Sequence, residues 1–172
     1  MSTLIVAAIV LGTVAGVIFL IVSIHNKHNR EAMNSLLKHF SLLGSENELV
    51  FSSQQILKNC ILGLDGSRRK LLVVKREGNL FGSFIINLEE VKNCTVKKIY
   101  GNINADGLLN KKLDQYLEKV VLHFDLMEKP SVEVVFYNHI GNSIFEAPEL
   151  EQKARGWESI LSKMLTPLKK IA

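Results

Sequence analysis

The 172-residue sequence has only two cysteines, Cys60 and Cys94, and neither stands at a metal-ligand spacing from any of the five histidines. Both lie in strand-like apolar runs, where a free thiol serves as a small core residue. Catalytic signatures are missing too: there is no Gly-x-Ser-x-Gly, no His-Glu-x-x-His and no glycine-rich phosphate loop. The expectation is a non-enzymatic protein with no catalytic residue, no metal and no cofactor. His123 and Asp125 share one strand face by alternation and would suit an acid–base pair, but a cross-strand hydrogen bond on a solvated face accounts for them better. A strong charge imbalance is also lacking. The 21 Lys and Arg against 17 Asp and Glu leave +4, too mild for a nucleic-acid partner and suited to a protein beside anionic lipid.

Basic residues are absent ahead of the first apolar run, which argues against a cleaved signal peptide. That run, Leu4 to Ile24, carries no ionisable side chain and as a helix would span roughly 31 Å, the thickness of bilayer hydrocarbon. Residues 1–25 are expected to form an uncleaved transmembrane anchor. His25, Lys27, His28 and Arg30 follow it, so the positive-inside rule predicts an N-terminus outside and the rest of the chain in the cytoplasm. Within the run Ala8, Gly12 and Gly16 recur every fourth residue, a stripe that would let two helix backbones approach and form a homodimer.

Residues 26–47 read as an amphipathic connector helix. Ala32, Met33, Leu36, Leu37, Phe40 and Leu43 fall on one stripe, which Gly44-Ser45 then interrupts. Three uses are open to it: the lipid interface, a second copy, or a cover over one opening of the following domain. From residue 48 to 172 the pattern becomes that of an antiparallel sheet. Ile56 to Leu64 should meet Leu71 to Arg76 across a type I′ turn at Asp65-Gly66, and Gly78-Asn79 should lead into Leu80 to Leu88. Further strands are expected at Asn93 to Tyr100, Leu117 to Leu126 and Val132 to Tyr137, with Ser143 to Glu146 a candidate seventh. The chain from Pro148 reads as a helix with Leu150, Ala154, Trp157, Ile160, Leu161 and Met164 on its apolar stripe, and Trp157 is expected to plug the core. The fold class is thus α+β, a strongly bent antiparallel sheet or barrel of six or seven strands capped by a C-terminal helix.

The strands ILKNCILGL, KLLVVKRE, LFGSFIINL, NCTVKKIY, LEKVVLHFDL and VEVVFY, followed by the helix KARGWESIL, resemble the pleckstrin-homology-like superfold. The resemblance spans roughly residues 48–165 and rests on element order and on Trp157 in the closing helix. The whole chain is also similar to small, uncharacterised single-pass bacterial membrane proteins, which implies the inner membrane. The resemblance further implies anionic head-group contact through a basic hairpin tip, here Arg68, Arg69 and Lys70 with Lys58 on the preceding strand. Two roles are therefore in view. One is a membrane-tethered interaction or scaffold domain that recognises a membrane or cytoplasmic protein through a sheet edge or the groove beside the C-terminal helix. The other is a module that contacts the lipid bilayer through the basic tip.

Overall fold

The computed structural model describes residues 27, 30–78, 80–101 and 116–165. The apolar run Leu4–Ile24, with Ala8, Gly12 and Gly16, lies outside the described residues, as does most of the connection from 101 to 115. Among the described residues no helix is long and apolar enough to cross a membrane.

Helix α1 covers residues 30–46 and continues through Gly44-Ser45 instead of stopping there. Gly44 is needed for packing: a Cβ on it would lie 2.8 Å from the Phe51 ring. The helix ends one turn later at Glu48, whose left-handed backbone (φ 52°) lets Glu48 donate to the Ser45 carbonyl and Leu49 to that of Gly44. This paired closure usually falls to glycine, which is why the sequence hides it.

Seven strands follow among the described residues: β1 (Ser53–Ile56), β2 (Cys60–Asp65), β3 (Lys70–Glu77), β4 (Leu80–Asn87), β5 (Val91–Tyr100), β6 (Leu117–Leu126) and β7 (Val132–Asn138). They form two antiparallel sheets, ordered β1-β2-β3-β4 and β5-β6-β7. The single strand expected from Ile56 to Leu64 is in fact two, broken at Leu57–Asn59. The extra strand is therefore Ser53–Ile56, while Ser143–Glu146 is a capping box around a 3-10 turn. Among the described residues no sheet closes into a barrel, contrary to that part of the expectation. Asn87 accepts from the Glu89 amide and turns the chain through a 3-10 turn, Leu88–Glu90, so β5 leaves β4 without pairing to it.

Alternation sorts the residues of β2 and β3 between two cores. Leu62, Leu64, Leu71 and Val73 face the second sheet and helix α2 (Ala147–Leu165), which packs on β5, β6 and β7 and buries Ala154, Trp157 and Leu161. Ile160, assigned to that stripe by spacing, is instead exposed. Ile61, Leu72 and Val74 face α1, meeting Leu36 and Phe40. Thus the connector covers the outer face of the first sheet. That double burial explains the unbroken apolar runs of β2 and β3.

The tightest point of this contact is Gly63. The rings of Phe40 and Phe51 stack at 4.7 Å over it, and an added Cβ would stand 2.4 Å from the Phe40 ring and 2.7 Å from that of Phe51. Gly63→Ala is expected to destabilise the chain by about 1–3 kcal/mol through overpacking. Gly63→Ala combined with Phe40→Leu should recover part of that loss, as read from urea unfolding of the full chain in detergent.

Candidate functional site

The four basic residues singled out by sequence do not form one cluster. Arg68 and Arg69 sit in the β2–β3 turn, whereas Lys58 sits in the β1–β2 turn at the opposite end of β2, a six-residue strand about 20 Å long. The β2–β3 connection is also not a two-residue type I′ turn. It runs from Gly66 to Arg69, and the residue with positive φ is Arg69 (53°), not Gly66. Its organiser is Asp65, buried at the end of β2, whose carboxylate accepts from the amides of Arg68 and Val50, each at 2.9 Å. These bonds leave the two arginines pointing to intramolecular partners. Arg68 donates to the Asn47 carbonyl and pairs with Glu48 at the end of α1, while Arg69 donates to the Met164 carbonyl at the end of α2. The turn is therefore a clasp joining the C-terminal ends of both helices. Lys70, the first residue of β3, stands opposite Asp65, and Lys58 donates to the Gly141 carbonyl at 2.6 Å.

The amides of Arg68 and then Val50 hold the Asp65 carboxyl below its ordinary range. The folded state therefore binds fewer protons here than the unfolded chain, so the contribution is present above about pH 4 and is lost as pH falls through the lowered folded value. Asp65→Asn is expected to lower the urea midpoint at pH 7. It should also flatten the loss of stability that the parent chain shows below about pH 4.

Sequence missed the cavity between the sheets, of about 230 Å³. Its walls come from the β1–β2 turn, the end of β3, Phe84 of β4, and β7. Val73, Phe84, Val134 and Phe136 supply apolar lining, while Lys58, Lys75, Arg76 and Glu133 supply polar groups. β7 is the edge of its sheet, and no backbone hydrogen bond joins it to the first sheet among the described residues. It carries a bulge, since Val120 pairs with Tyr137 but Val121 with Val135. The extra residue, Phe136, puts two consecutive large side chains, Phe136 and Tyr137, in the core. The opposite edge of that sheet, β5, is engaged by α2. Glu158 accepts from the Val96 amide at 2.9 Å, and Lys98 pairs with Glu151.

His123 is buried, contrary to the solvated face expected for it, between Asp125 (Nε2 to Oδ1, 2.9 Å) and Glu133 across on β7 (Nδ1 to Oε1, 3.1 Å). The neighbouring β5 and β7 side chains flank this central strand, which alternation alone does not reveal. Among the described residues no cluster has the make-up of a metal site. Cys60 and Cys94 are buried free thiols, each pushed up to about 12 by burial, and so are poor nucleophiles at neutral pH. No family model matches the chain, nor does any curated protein or solved structure.

Proposed function

We propose that the chain is a non-enzymatic, membrane-tethered interaction module that takes an extended segment of a partner protein along β7, with partner side chains entering the adjoining cavity. The observation that carries this reading is the coincidence of an unpaired sheet edge with an apolar-floored, polar-rimmed cavity. An edge strand offers backbone donors and acceptors to any extended chain, and the cavity adds selectivity for its side chains. The groove beside the C-terminal helix is the weaker candidate, because Glu158 and the Lys98–Glu151 pair already span it.

Four strands, then three, then a helix that buries Trp157 in the core support the pleckstrin-homology-like reading of the fold. The uninterrupted apolar run Leu4–Ile24 supports a single-pass anchor in the inner membrane with the domain in the cytoplasm. In native membranes a photo-crosslinking side chain at Val135 is expected to give one discrete adduct, and Val73→Phe, which crowds the cavity, should abolish it. A crosslinker at Met127, in the β6–β7 turn, is expected to give none. Equal adducts from both positions, or an adduct indifferent to Val73→Phe, would count against the β7 site.

A further inference from the structure

Helix α1 has a direction that the clasp makes plain. Its end, at Asn47 and Glu48, meets Arg68 in the β2–β3 turn. Earlier along it His39 packs against Phe81, near the start of β4, with ring centroids 4.8 Å apart. The helix therefore runs from the β3–β4 end of the first sheet towards the β2–β3 end, and residue 30 lies about 13 Å before His39. Five residues, 25–29, separate residue 30 from the apolar run Leu4–Ile24, and the six steps from residue 24 to residue 30 span about 22 Å at most when fully extended. Any anchor formed by that run holds this same end of the domain close to lipid.

That end holds the two most exposed large apolar side chains among the described residues, with further exposed ones beside them. Phe145 is 90% exposed, Ile140 83% and Leu80 76%, and Ile56 and Ile144 are also exposed. Leu80 opens β4 and Ile56 closes β1, so both belong to the β3–β4 end of the first sheet. The segment from 139 to 146 is fastened to the same end by the Lys58–Gly141 bond. By contrast Val50 and Met127, exposed elsewhere, stand singly, which is ordinary for a protein surface. Lys58, Lys75 and Arg76 line the same region, yet Glu77 pairs with Lys75, Glu133 lines it too and Glu146 faces Lys58, so these charges balance.

We infer that this end of the domain, led by Phe145, Ile140 and Leu80, docks on the bilayer surface, so that the clasp carrying Arg68 and Arg69 points away from lipid. The inference rests on the membrane-anchor reading and adds an orientation to it. Large apolar side chains at the interface gain free energy by leaving water, and tethering supplies a high local concentration, so a few such residues suffice. Apolar contact dominates here, and anionic lipid adds little because the basic residues at this end are matched by acidic ones.

The buried, unreactive state of Cys60 and Cys94 makes the test practicable, because a new surface cysteine is the one that labels. The full chain would be reconstituted in phosphatidylcholine vesicles, with and without phosphatidylglycerol. An environment-sensitive fluorophore would be placed at Phe145→Cys or Ile140→Cys, and in controls at Val50→Cys or Met127→Cys. Blue-shifted emission at 145 and 140, quenched by nitroxide-bearing lipid in both vesicle types and absent at 50 and 127, is the expected result. With the probe at Leu80→Cys, Ile140→Ser plus Phe145→Ser should weaken docking about tenfold or more. Equal quenching at all positions, no quenching at 145, or a blue shift that depends on protein concentration and not on the nitroxide would overturn the inference. The last pattern would assign the patch to a second copy. Resistance to alkaline extraction is scored in parallel: release would sink the anchor, whereas retention with an unquenched probe would sink the docking alone.

Discussion

The contact of Phe40 and Phe51 over Gly63 is the constraint on which the rest of this architecture depends. A four-stranded sheet has two faces, and here both are apolar at β2 and β3, so neither can be left to water. One face meets the second sheet and α2. The other needs a helix, and a helix approaches a sheet this closely only where a residue has no side chain to hold it off. Gly63 provides that point, and the two rings stack into the space its absent Cβ would fill. The connector helix is thus part of the fold and not a spacer, which removes Leu36 and Phe40 from competition for lipid or for a second copy, whereas Leu37, assigned to the same stripe by spacing, is exposed.

Fixing α1 also divides the molecule into two unlike ends. At one, Asp65, Arg68 and Arg69 tie the β2–β3 turn to the final residues of both helices, so charge that looks free in the sequence is committed to backbone carbonyls and to Glu48. Such charge-assisted bonds to helix C-termini neutralise the carbonyls that each helix leaves unpaired. At the other end stand the apolar tips of the β3–β4 turn and the 139–146 segment, with no comparable internal use.

The local signals of this sequence were legible wherever one face of one element decided the outcome. Leu117–Leu126 emerges with the bounds its pattern suggests, and Trp157 lies in the core as its stripe requires. Legibility failed where a residue answers to something distant. Gly44 looks like a helix stop but makes room for Phe51, and Glu48 performs a closure usually left to glycine. Asp65-Gly66 has the composition of a tight turn, but the Asp65 carboxylate is drawn to the Val50 amide 15 residues away and the turn opens to four residues. The cavity was out of reach for the same reason, since its walls come from chain positions as far apart as Leu57 and Asn142 that only the packing of two sheets brings together.

Among the described residues the two sheets have four edges, β1, β4, β5 and β7, and β7 differs from the long edge β4 in that it walls the cavity along its length, where β4 contributes only Phe84. β1 is a four-residue strand rich in Gln, too short to template much pairing. β5 has a backbone amide capped by Glu158. β7 has neither defence, but its bulge at Phe136 breaks the regular edge, leaving Val132–Val135 as the stretch in register for an added strand. A partner pairing with so few residues would gain few backbone hydrogen bonds, each with a net value of about 1 kcal/mol, too little for a stable complex once association entropy is set against it. On the proposed reading the remainder would come from side chains buried beside Val73, Phe84 and Val134, so the cavity and the edge would act as one site and neither would suffice alone.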